Sequence, residues 1–167
     1  MGKITLWGRH SGAVALIALV GLILDQASKL WFLYGFDLGA NGPVTIAPFL
    51  DFVLVWNRGI SYGLFQQHSE IGRWILAGFT VVAAVFIWVW AAGTTRKITL
   101  LALSLLLAGA IGNGIDRLVF GAVVDFVHFH VGSFSWYVFN LADVWIVAGA
   151  VGLLYDWLTD RGPDAAK

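Results

Sequence analysis

The chain has no cysteine in 167 residues. That absence removes disulfides, thiolate metal sites, palmitoylation and a thiol nucleophile together, and it leaves the redox compartment unreadable. Charge is scarce as well: 12% of residues are Asp, Glu, Lys or Arg, and ten basic side chains balance ten acidic ones. A formal net charge of zero provides no overall field to hold nucleic acid or an acidic partner. No H-E-x-x-H string occurs, so the helical zinc-protease signature is missing too. What fills the chain instead is 59% hydrophobic residues with 20 glycines, a membrane composition.

The apolar residues gather in four runs: His10–Leu24, extended past Asp25 and Lys29 to Tyr34; Trp74–Thr95; Ile98–Ile115; and a last run from about Phe139 to Leu158. A bilayer core of about 30 Å needs roughly 20 helical residues, which each run approaches with a few flanking residues. The expected architecture is a single membrane α-helical domain over 1–167. Its transmembrane helices lie at about 12–34, 71–93, 98–119 and 139–158, and its outer segments at about 35–70 and 120–138. Lys3 and Arg9 precede the first run as in a cleavable leader, but Asp25 interrupts it and no A-x-A-type site follows, so an uncleaved helix is expected.

Lys3, Arg9, Arg96, Lys97, Arg161 and Lys167 fall on one side of this arrangement, against Arg58, Arg73 and Arg117 on the other. That bias places both termini in the cytoplasm. Trp31, Trp56, Trp74, Trp136 and Trp157 fall near span ends or in loops, where indoles anchor at headgroup level. In the first outer segment "GFDLGANGPVTIAP" reads as loop, and "FLDFVLVW" and "GISYGLF" as short strands; "GAVVDFVHFHVGSFSWYV" in the second also reads as extended. The tail "DRGPDAAK" reads as frayed and polar.

Asn140 and Asp143 stand at the head of the last run. An aspartate at mid-membrane costs about 2.5 to 3.5 kcal/mol, and each Leu, Ile, Phe or Val returns roughly 0.3 to 0.6. Residues 138–158 hold ten of those four types, so the helix recovers about 3 to 6 kcal/mol and can carry Asp143. Asp143 also lies only roughly 6 Å into its helix, near the outer interface. In the third run Asn113 and Arg117 are four apart and share a face, with Asp116 three from Asn113. Asp125 follows on the same outer side, separated from Asp143 by the 17 residues 126–142, so the two can meet. Asp25 with Lys29 at i+4 reads as a local ion pair, with Asp116 or Arg117 in reach.

Each of these residues also has a plainer reading. Asp143 suits a helix N-terminus, Asp125 a solvated loop, and Asn57 a turn before Gly59. His128 and His130 alternate without a third ligand, so neither a metal nor another cofactor is expected. Ser28 adjoins Lys29, but helix neighbours point about 100° apart and do not face each other. Two converging carboxylates remain. Carboxylates that close share a proton: the charged one activates water, and the protonated one donates to the scissile carbonyl and then to the leaving amine. The rival classes are a small proton-coupled transporter or channel and an assembly or lipid-binding subunit packed through its glycines.

Five motifs in order, "LDQASK", "NRGISYG", "GAIGNGIDR", "VVDF" and "FNLAD", resemble those of bacterial lipoprotein signal peptidase, signal peptidase II. The resemblance implies an intramembrane aspartyl endopeptidase of the cytoplasmic (inner) membrane, with its active site at the outer face beneath a small β-cradle. Its substrates would be diacylglyceryl prolipoproteins, cut just before the lipidated cysteine, and globomycin would block it. It implies Asp125 and Asp143 as catalytic dyad; Asn57, Gly59 and Arg117 as substrate-binding; and Asn113, Asp116, Asn140, Asp25 and Lys29 as supporting residues. Membrane lipids are the other expected partners; nucleic acid is not, and nothing sets an oligomeric state. Arg58, Ile60, Tyr62 and Gly114 depart from the family's usual types, which puts the pocket's shape rather than the dyad in question.

Overall fold

A computed structural model describes residues 5–59 and 70–160. The strand reading of "GISYGLF" beyond Gly59, the departures at Ile60 and Tyr62, and the cations Lys3, Arg161 and Lys167 lie outside the described residues. Helix α1 (Ser11–Leu30) runs on through a π-helical turn at Trp31–Gly35 and is followed by a single turn, α2 (Leu38–Asn41). Strands β1 (Val44–Ala47) and β2 (Leu50–Asn57) precede α3 (Glu70–Gly93) and α4 (Lys97–Val119). Then come β3 (Val123–Val131), β4 (Phe134–Ser135) and α5 (Leu141–Thr159).

Four helical stretches are long and apolar enough to cross a membrane: Ser11–Gly35, Ile71–Gly93, Lys97–Val119 and Leu141–Thr159. All three prolines, Pro43, Pro48 and Pro163, fall outside them, so no span loses a helical hydrogen bond to a pyrrolidine ring. The span of α4 is 61% buried, against 28% for the first and 17% for each of the others, which makes α4 the centre of the bundle. Its Leu100, Leu103 and Leu107 meet Val14 and Ala18 of α1 and Ala91 of α3. On its other side, a Cβ at Gly149 of α5 would come within 2.6 Å of the Ala102 carbonyl oxygen, so glycine sets that spacing. Ile23, Phe79, Val82, Val147 and Val151 face outward and exposed, which suits a hydrocarbon solvent.

The strands form one antiparallel sheet in the order β1-β2-β3-β4. Val124 and Phe126 of β3 pack with Phe32, Leu33 and Leu38, and the Phe32 and Phe126 rings stack at 4.2 Å between centroids, so the sheet is seated on the end of the first span. β2 opposes β3 through Val55↔Asp125 and Asn57↔Val123, with a bulge between Phe52 and Val55. The stretch read as loop is more ordered than expected. Asp37, at φ 50°, caps α2 by accepting from the Ala40 N–H, buried Leu38 anchors that turn, and β-branched Val44 and Thr45 pair with β2.

Candidate active site

Asp143 is the third residue of α5, and Asn140 starts that helix. The Asn140 Oδ1 accepts from the Asp143 N–H at 3.1 Å, and Asp143 Oδ2 accepts from the Asn140 N–H at 3.2 Å, a reciprocal capping box. The helix-terminal role is therefore present, but it occupies one carboxylate oxygen only. The other, Oδ1, accepts from Asn113 Nδ2 at 3.0 Å.

Asp125 reaches the same place from β3. Asn140 Nδ2 donates to its Oδ1 at 2.6 Å and Asn57 Nδ2 to its Oδ2 at 3.0 Å, so Asn140 holds both aspartates at once. Asp125 is 1% exposed, which removes the solvated-loop reading. Burial first, and then the neighbouring Asp143 charge, push the Asp125 carboxyl up to about 7 against the opposing pull of the Asn57 and Asn140 donors. Asn57 does make its turn as well, with Oδ1 accepting from the Gly59 N–H at 3.0 Å.

Beneath the pair lies a buried ionic layer. Lys29, 1% exposed, sits 2.9 Å from Asp25 Oδ2 and 2.9 Å from Asp116 Oδ2, and donates to Asn113 Oδ1 at 3.0 Å. Asp25 Oδ1 accepts from the Ala142 N–H at 2.9 Å, and Asp116 Oδ2 accepts from the Val124 N–H at 3.1 Å. Each carboxylate thus grips the peptide just before one of the two aspartates. Glycine at 112 is required here, since a Cβ would collide with the Asp25 carboxylate.

Arg117 lies to the side, with Nη2 donating to the Gly59 carbonyl at 3.1 Å and Nη1 to the Asn113 carbonyl at 3.2 Å. Its buried Nε has no partner among the described residues. A cavity of about 340 Å³ opens between α3, α4 and α5, lined by Asn57, Thr80, Asn113, Arg117 and Asp143. Gly114, singled out from sequence, turns away from the aspartates: a Cβ there would meet Thr80 Cγ2 of α3 at 2.7 Å.

Several contributors escaped the sequence reading. Gln26 Nε2 donates to Asp25 Oδ2, Asp116 Oδ1 and the Gly112 carbonyl, and its signal was one more polar residue inside an apolar run. Arg73 Nε donates to the Arg117 carbonyl at 2.8 Å. At the opposite end of the bundle Arg96 and Thr99 hold the buried Asp156. "GISYG" at 59–63 fits the serine-hydrolase string G-x-S-x-G, but that string has meaning only at a strand-to-helix turn of an α/β sheet. The described sheet is wholly antiparallel, and Ser61 lies outside the described residues.

The description "Signal peptidase (SPase) II" matches residues 17–159, a stretch that holds both aspartates and every residue around them. The chain belongs to the signal peptidase II family. As such it is a multi-pass membrane protein and an aspartic-type peptidase, and a transporter is not favoured. A lipoprotein signal peptidase of Methylobacterium sp. (strain 4-46) is 54% identical over 152 residues, covering 90% of this chain and 92% of that one. Another, of Methylorubrum extorquens (strain PA1), is 53% identical over 149 residues, covering 89% and 86%. A solved bacterial membrane enzyme, 26% identical, superposes with a TM-score of 0.81 over 93% of each chain.

Proposed function

We propose that this signal peptidase II removes signal peptides from diacylglyceryl-modified prolipoproteins, cutting just before the lipidated cysteine with Asp125 and Asp143 as its catalytic dyad. The relatives are lipoprotein signal peptidases by name. The observation that carries the dyad is Asn140, whose one side chain donates to the buried Asp125 carboxylate and accepts from the Asp143 N–H.

Asp143, at the head of α5 where the helix dipole favours negative charge, is the ionised member. Asp125, raised to about 7, holds the shared proton. Asp143 takes a proton from water as the oxygen attacks the scissile carbonyl, and Asp125 protonates the carbonyl oxygen to give a gem-diol. Asp143 then passes its proton to the leaving amine while a gem-diol hydroxyl returns one to Asp125 as the C–N bond breaks.

The remaining residues position rather than react. The Arg117 Nε, a buried donor without a partner among the described residues, and Asn57 hold substrate backbone in the cavity, with Gly59 giving room for close approach. Asn113, Asp116, Asn140, Asp25 and Lys29 hold the dyad. The signal peptide lies against the apolar flanks of α3 and α5, where Phe79 and Val147 of the cavity wall face outward. A globomycin-like cyclic peptide fits the same space, and membrane lipids cover the outward faces. The excess of Lys and Arg on the terminal side supports cytoplasmic termini in the inner membrane, with the dyad and β-cradle at the outer face.

Purified Asp125→Asn and Asp143→Asn proteins are each expected to lose about a thousandfold or more in cleavage of a diacylglyceryl prolipoprotein. A folded variant that cleaves near the wild-type rate refutes the dyad.

A further inference from the structure

Asp51, His128 and His130 form a cluster that the peptidase chemistry leaves unused. Asp51 of β2 lies directly opposite His128 of β3 and Thr45 of β1, and His130, two residues on, shares the sheet face of His128. Three and five residues beyond Asp125, the histidines are about 10 and 17 Å from it along the strand. One ligand atom from each of the three residues falls within 4.8 Å of the others. Asp51 Oδ2 is 2.9 Å from His130 Nε2 and 3.6 Å from His128 Nδ1. The side chains are 21% to 28% exposed, so the cluster is half-buried with one side open to solvent.

The orientation of the groups is the informative part. His128 Nε2 lies 2.8 Å from Ser135 Oγ, whose hydroxyl donates to the Trp136 carbonyl at 3.4 Å. His128 Nε2 is thus held by the Ser135 hydroxyl, and Nδ1 faces the Asp51 carboxylate across 3.6 Å. Asp51 Oδ1 and His130 Nε2 are buried atoms with no hydrogen-bond partner among the described residues. Thr45 hydrogen-bonds the Asp51 carboxylate from the other strand, so both Asp51 and His128 are oriented from behind by hydroxyls, as metal ligands commonly are. A carboxylate and two imidazoles converging on one point, each offering a ligand atom within 4.8 Å of the others, is a set that a cation completes.

We propose that Asp51, His128 and His130 form a divalent transition-metal site, occupied by zinc with water in the fourth position. Two imidazoles and one carboxylate are a usual three-ligand set for zinc, and the chain offers no thiolate that would select a softer ion. The ion would fasten β2 to β3, the strands that end in Asn57 and carry Asp125, and so lock the register between them.

The test is zinc titration, by calorimetry, of full-length detergent-solubilised protein stripped with a chelator. One equivalent binding at micromolar affinity or tighter is expected, with a rise in the unfolding midpoint. Asp51→Asn, His128→Gln and His130→Gln should each weaken binding at least tenfold, whereas His10→Gln and His68→Gln should leave it intact. Binding weaker than about 100 μM in the wild type, or unchanged in the three site variants, overturns the proposal. Because a variant can misfold, zinc-edge X-ray absorption of the loaded wild type gives a second reading. Two imidazoles in the first coordination sphere support the site, and a shell of water or buffer oxygens alone overturns it.

Discussion

Lys29 is one cation among two carboxylates with almost no exposure, at 2.9 Å from each, and the energetics of the site follow from that count. Lys29→Met keeps the bulk and removes the charge, leaving Asp25 and Asp116 facing each other in a dry interior. Breaking a buried pair this way costs about 3 to 5 kcal/mol, so thermal unfolding in detergent should show a large drop in midpoint, well beyond that of a lipid-facing control such as Val151→Ala. Asp125 carries the pH dependence. In the proposed dyad Asp125 must be protonated to act, and with its carboxyl pushed up to about 7 it is fully competent below that value. The logarithm of kcat/KM should therefore fall with unit slope above about pH 7. Stability has the same sign: the folded pKa exceeds the unfolded one, so the contribution is complete below about pH 4 and is lost as pH rises through 7. Unfolding midpoints measured from pH 5 to 8 should fall in the wild type and vary less in Asp125→Ala.

Among the elements, the α3–α4 contact bears the mark of an unusual residue. Gly114 lets Thr80 pack where a Cβ would approach its Cγ2 to 2.7 Å, and a threonine on a helix has little rotamer freedom with which to yield. Gly114→Ala should lower the unfolding midpoint by the equivalent of about 1 to 3 kcal/mol. Thr80→Ser, which removes Cγ2 but keeps the hydroxyl bond to the Leu76 carbonyl, should recover most of it. Failure of that rescue would show that the helices are not in contact there. Thr80 also lines the cavity, so the pair bears on the shape of the pocket as well as on packing.

At the level of the whole molecule, orientation is open to a direct measurement, because the natural chain offers no cysteine. Ser133→Cys, between β3 and β4, should react with a membrane-impermeant maleimide in intact spheroplasts, and Thr95→Cys, between α3 and α4, only after permeabilisation. The reverse pattern would place the site in the cytoplasm. The four apolar spans and the strands β2 and β3 were legible in the chain because solvent and period write them locally. The Asp25–Lys29 pair was legible for the same reason, being one helical turn apart. What was not legible depended on distant partners: Asp156 finds Arg96 across 60 positions, and Asp51 meets His128 only through strand register. The helical turn at Leu38–Asn41 hid among three glycines and one asparagine, residues that mark turns but do not say what lies between them.

The grips on the Ala142 and Val124 peptides have a mechanical consequence. Asp25 and Asp116 are both tied to the Lys29 ammonium, so the two aspartates of the proposed dyad hang from a common pivot rather than from separate walls of the bundle. Squeezing or stretching the bilayer tilts the outer helices, but it moves both arms of this calliper together. Reconstitution into lipids of increasing acyl length should therefore alter KM, as the substrate's own helix shifts in depth, and leave kcat nearly constant.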